Sequence, residues 1–234
     1  MNDPLEGLAF YAVFVFSVTI HEAAHAWAAM QGGDLTAYNG GQVSLDPIPH
    51  MKREPFGMVV LPILSVAMSG FPIGYASAPF DPNWAARHPR RAAWMALAGP
   101  GANLAMTLAA GLAVWLGVSA GYFEPPDALS IRQVTASVGR AGGLASASAF
   151  LLSIFFSMNL LLFVLNMLPV PPLDGSGALP LVLPESWMGS YRSLFSQPIV
   201  AILALLAVWN FAGEVFRPCF FFAVGLLYPG VGYE

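Results

Sequence analysis

The sequence predicts an all-α polytopic membrane protein, a bundle of about five to six transmembrane helices with a small β-hairpin or strand element after the first helix. Three observations carry this. Of 234 residues, 57% are hydrophobic and only 9% are charged, where soluble domains carry about a quarter charged residues. The mean hydropathy is +0.65. The apolar residues are also gathered into runs long enough to cross a hydrocarbon core of about 30 Å at about 1.5 Å per residue. So few charges cannot solvate the outside of a globule this size, yet they suffice for loops between spans.

Residues 7–30 form the first span. The residues before it are acidic (Asp3, Glu6) and include no Lys or Arg, unlike the basic start of a signal peptide, so this span is expected to be retained. The stretch from Gln31 to Glu54 is polar and turn-rich, and Gln42-Val43-Ser44-Leu45 alternates as a strand or hairpin arm would. A second apolar run, 56–76, is interrupted by Pro62, Gly70 and Pro72, which predicts a broken or partly interfacial span. The connector 77–91 ends in a basic cluster. Residues 92–118 form a third span rich in Ala and Gly, small residues that let helix backbones approach closely and so place it centrally. Loop 119–146 carries Arg132 and Arg140. The fourth span, 147–168, stops at Pro169, where the Pro-stiffened run PVPPLDG follows. Residues 198–213 and 218–229, separated by Glu214 and Arg217-Pro218, read as two short spans or one broken hairpin. No internal repeat or soluble domain interrupts the chain. It is therefore expected to be a single transmembrane domain, 1–234, with its core at about 7–180 and C-terminal helices at about 196–229.

A net charge of −4 with no concentrated basic stripe argues against a nucleic-acid partner and leaves the lipid bilayer as the surrounding phase. Cys219 is the single cysteine, so no intrachain disulfide forms. The positive-inside count is a tie: Lys52, Arg53, Arg132 and Arg140 stand against Arg87, Arg90, Arg91 and Arg192. The acidic N-terminus tips it toward an N-terminus outside.

The chemistry is concentrated in His21-Glu22-Ala23-Ala24-His25. On a helix, the i, i+4 spacing puts both imidazoles on one face, one turn apart, where both reach one Zn2+. Glu22, beside the first ligand, can then hold the water that the metal carries and take its proton. Each ionisable residue at bilayer depth costs roughly 2.5–3.5 kcal/mol, and three fall within five residues here. Metal coordination beside a water-accessible cavity compensates that cost.

Zinc hydrolases generally use three protein ligands, so a third is needed. His50 lies in a turn-rich loop and His88 in a Pro-flanked connector, and both read as solvated loop residues. Asp174, just past the fourth span and followed by Gly175, is the more attractive ligand, although Leu-Asp-Gly alone is also a plain turn. Asn103 and Asn166 place carboxamides in apolar spans. Either can steady a developing oxyanion, or simply bond a neighbouring helix. Val43 and Leu45 would offer a main-chain edge to an unwound substrate.

With HEAAH in the first span, GPGAN at 99–103 and NMLPVPPLDG at 166–175, the chain resembles the site-2 protease family of intramembrane zinc metalloproteases, most closely the compact prokaryotic type without a PDZ or CBS domain. The resemblance runs over about residues 10–180 and includes Gly33-Asp34, residues 41–47 and His50. It implies that His21, His25 and Asp174 bind zinc, with Glu22 as the base. It further implies a helix bundle in a prokaryotic inner or plasma membrane, the zinc nearer the cytosolic face, cutting transmembrane proteins or signal-peptide remnants after local unwinding. One departure is Ser77-Ala78-Pro79, where many relatives have Lys-Pro-Val-Pro.

Two other classes accommodate some of these features. A metal-binding transporter explains polar residues at depth but not Glu22 between zinc-spaced histidines. A non-catalytic membrane scaffold needs neither.

Overall fold

The computed structural model describes residues 4–140 and 143–233; Asp3 of the acidic N-terminus, and Ala141 and Gly142 in the second loop, lie outside them. Among the described residues, four helices are long and apolar enough to cross a membrane: α1 (Pro4–Gln31), α6 (Pro89–Ser119), α7 (Leu144–Asn166) and α10 (Pro198–Leu227). Short helices fill the connections: α2 (Thr36–Asn39), α3 (Pro47–Arg53), α4 (Leu61–Ser69), α5 (Pro82–Arg87), α8 (Asp174–Ala178) and α9 (Glu185–Phe195). The protein is thus a helical polytopic membrane protein.

The second apolar run is broken as its Pro and Gly content predicts. A π-helical turn, Phe56–Val60, leads into α4, which ends at Gly70 in the left-handed conformation (φ +73°), with its N–H on Val66 O. At 14 residues, Phe56–Ser69 is apolar but short of a crossing. The C-terminal region corrects the expectation of two spans or a hairpin: it is one continuous helix with Pro218 inside. A proline is tolerated there because neighbouring groups in a membrane helix re-satisfy the freed carbonyl.

The strand element also lies elsewhere than expected. Residues 43–45 are a series of bends. Polar groups along 42–45 are turned to local use: Gln42 N–H bonds Ala37 O at 3.0 Å, and Ser44 Oγ accepts from Asp46 N at 3.1 Å. Asp46 in turn caps α3 by accepting from Ile48 N at 2.9 Å, with Pro47 pre-set in the first turn. The small antiparallel sheet is instead β1 (Phe123–Glu124) with β2 (Ala136–Ser137), in register Phe123–Ser137 and Glu124–Ala136.

The chain divides into two compact units. One comprises Met1–Ala102 and Leu165–Ala212, the other Asn103–Val164 and Gly213–Glu234. In the first, α1 packs on α4 so closely that a Cβ at Gly7 would stand 2.7 Å from Val66 Cγ1, and Tyr11 OH donates to Met58 O at 3.2 Å. The second has its core around Ala110, Val114, Phe156, Leu160 and Val224. There the loop after α6 is held into α7 by Ser153, whose Oγ accepts from Val134 N at 2.9 Å and Thr135 N at 3.1 Å.

At the end of α1, Asp34 is 3% exposed and accepts from Thr36 N at 2.9 Å and from Asp81 N at 2.8 Å. It ties the first helix to the start of α5, which Asp81 caps through Asn83 N. Burial raises the Asp34 carboxyl, but the Thr36 hydroxyl and the two amides outweigh it and hold it below the usual carboxylate range. A depressed folded-state value means that this contribution is present above the usual carboxylate range and is lost as pH falls through and below it. In detergent, Asp34→Asn should be destabilised by about 1–3 kcal/mol at neutral pH. The gap in melting temperature between variant and wild type should close toward pH 3, and a gap that does not depend on pH would contradict this account.

Candidate metal centre

Helix α1 carries HEAAH on its buried side: His21 is 6% exposed, Glu22 4% and His25 6%. Asp174 reaches the same point from the first position of α8, at the end of the PVPPLDG run. That turn is tight because Gly175 lies on the chain leaving α7, where a Cβ would collide with the carbonyls of Met167 and Leu168. The turn thus brings the Asp174 carboxylate to the two histidines.

The three side chains converge. His21 Nε2 lies 3.0 Å from Asp174 Oδ2, His25 Nε2 3.3 Å from Asp174 Oδ1, and the two Nε2 atoms are 2.9 Å apart. Tetrahedral zinc with ligands at about 2.0–2.1 Å separates them by about 3.3 Å, so the spacing fits such an ion with little adjustment. His25 Nδ1 stands 2.7 Å from Met95 O. A carbonyl can only accept, so the ring carries its proton on Nδ1 and turns the Nε2 lone pair toward the other two donors.

Two further observations test the fit to a metal. Gly99, on α6, faces the cluster: a Cβ there would fall on His25 Nε2 and stand 2.5 Å from His21 Nε2. Only a glycine leaves the donors room to meet. Glu22 Oε2 is buried without a hydrogen-bond partner among the described residues, a cost that makes sense where a water or substrate supplies the partner. Glu22, His25 and Asp174 all open on one cavity of about 560 Å³, whose walls are otherwise mostly Ala, Pro and other apolar side chains.

The remaining sequence-based candidates fare differently. Val43 and Leu45 lie in no strand: the segment is bent there, and Leu45 is 72% exposed. Asn103 donates through Nδ2 to Asn159 Oδ1 at 2.9 Å, both residues being fully buried, so its carboxamide is engaged in helix–helix bonding. Asn159 itself escaped the sequence reading, although it too is an amide at depth in an apolar span. Asn166 closes α7, partly exposed. His50 is not solvated: it is 1% exposed, with Nε2 3.0 Å from Ser44 O. Met95 and Gly99, which orient and accommodate the imidazoles, carry no chemical signature as residue types and were missed as functional.

Comparison with known proteins places the chain in a family. The model of Peptidase family M50 matches residues 9–209. A Bacillus subtilis (strain 168) protein named "Putative zinc metalloprotease YwhC" is 26% identical over 204 residues, covering 86% of this chain and 82% of that protein. Proteins named "Putative zinc metalloprotease Rip2" are 28% identical in Mycolicibacterium smegmatis, over 79% of this chain and 64% of that protein, and 29% identical in Mycobacterium tuberculosis H37Rv, over 89% and 71%. No solved structure gives a significant match. A family match along most of the chain, on a helical membrane scaffold that gathers two histidines and an aspartate, establishes that the chain belongs to Peptidase family M50, the site-2 protease family.

Proposed function

We propose that this membrane metalloprotease hydrolyses peptide bonds within transmembrane segments of membrane proteins, with His21, His25 and Asp174 holding zinc and Glu22 acting as the base. The observation that carries the reading is the convergence of three donors beside a buried, unpartnered carboxylate oxygen at the wall of a cavity. Zinc held there supplies Lewis acidity, polarising the scissile carbonyl and easing removal of a proton from the attacking water. Glu22 takes that proton and delivers it to the leaving amine. The His25–Met95 bond keeps the imidazole from rotating as charge changes beside it. The apolar walls exclude bulk water except what the reaction consumes and receive a substrate that has left its helical form. The substrates are transmembrane proteins or signal-peptide remnants. The enzyme sits in a prokaryotic inner or plasma membrane, with its metal nearer the cytosolic face.

The test is cleavage of a model transmembrane peptide by the purified chain in detergent, with zinc measured on the same sample. Wild type should hold about one zinc per chain, lose cleavage on treatment with a strong chelator, and regain it with stoichiometric zinc. Cleavage that survives complete metal removal would overturn the reading.

A further inference from the structure

The cavity wall nearest in sequence to α5 is a run with no secondary structure of its own, residues 72–81. Its course is set by tethers. Tyr75 N–H bonds Gly57 O at 3.1 Å, and Asp81 N–H bonds Asp34 Oδ2 at 2.8 Å. Between them Ser77 is gripped twice: Arg53 Nε donates to its carbonyl at 3.1 Å, and its hydroxyl donates to Glu54 Oε1 at 2.6 Å.

Ala76, Ser77, Ala78 and Phe80 all line the cavity with Glu22 and Asp174, and of these Ala76 and Ala78 end at Cβ. Ala85 and Ala92 contribute further small walls. Apart from Glu22, His25 and Asp174, no lining side chain among the described residues is ionisable in the neutral range. A charged substrate side chain turned to this wall would lose its water among apolar groups with no partner to replace it. The room left by side chains that end at Cβ suits a bulky apolar residue.

Resting on the proposed proteolytic reading, we propose that Ala76–Phe80 is the specificity wall of the site. Ala76 and Ala78 receive a bulky apolar side chain of the unwound substrate, and Ser77, through Arg53 and Glu54, is a positioning residue that keeps the wall in place.

The probes are alanine-rich transmembrane peptides with a Gly-Pro break, identical except for Ala, Leu, Phe or Lys beside the break. Their kcat/KM is measured with wild-type protein, and their Kd with Glu22→Gln protein. Leu and Phe peptides should be favoured over Ala by about tenfold or more, with Lys last. Ala78→Leu should abolish or reverse that order at unchanged zinc content. Ala76→Leu serves if the first variant fails to fold. Ser77→Ala should raise KM several-fold with kcat and zinc unchanged, and Ser77→Thr should restore it. The same order is expected in Kd, so if wild type cuts nothing, the hydrolytic reading fails while affinity still decides this one. Equal affinity for all peptides, no binding, or an unaltered order in both leucine variants overturns the proposal.

Discussion

Purified Glu22→Gln protein should retain its zinc and lose cleavage by about 10²–10⁴-fold. The substitution keeps the shape of the side chain and the buried position, 4% exposed, but a carboxamide cannot accept a proton from water near neutral pH. The proposed metal donors are untouched, since His21, His25 and Asp174 meet without Glu22. Two measurements on one preparation are needed: metal content, and turnover of a transmembrane peptide. Retained zinc with lost turnover fits a hydrolase. Retained turnover would mean another group takes the proton, and would sink the role assigned to Glu22. A transporter or scaffold built on the same fold would keep its activity in this variant, so the experiment also separates those classes.

The second large effect is expected from one methyl group. Gly99→Ala should lower zinc affinity by about 10–100-fold or more, with cleavage falling in parallel and recovering in part at high zinc. The added Cβ would overlap His25 Nε2 and lie 2.5 Å from His21 Nε2 and 2.7 Å from His21 Cε1. The imidazoles cannot simply swing aside, because His25 Nδ1 is fixed on Met95 O at 2.7 Å. Gly101→Ala is the matched control: its Cβ would meet nothing within 4 Å, and alanine is the better helix former by about 1 kcal/mol. It should keep full zinc and activity. If Gly99→Ala holds zinc as tightly as Gly101→Ala, then the glycine does not cradle the metal site.

What the sequence determined by itself follows from short-range rules. Hydropathy places the long helices, because each buries its own backbone hydrogen bonds and needs only apolar length to be stable in lipid. The HEAAH spacing determines that two imidazoles share a helix face, whatever surrounds them. Asp46-Pro47 and Asp81-Pro82 fall in stretches read as a turn-rich loop and a connector, yet each aspartate caps a short helix there. Broken backbone at 56–76 is equally local, a matter of Pro62 and Gly70.

Tertiary structure decided whatever depends on which distant groups meet. That Asp174 joins two histidines about 150 residues earlier is a fact of packing: the Leu-Asp-Gly triplet fits a surface turn as well. His50 became a buried residue because Ser44 O lies within reach of its ring, and the alternating run at 42–45 gave up pairing because its polar groups found nearer partners in the turn before α3. Pro218 did not end α10, a helix apolar enough to cross a membrane, where no water competes for the flanking backbone hydrogen bonds. Gly99 is the sharpest case. Nothing in a glycine announces a metal site, and its role exists only because α6 approaches α1 closely enough that a single carbon would occupy the place where the ligands converge.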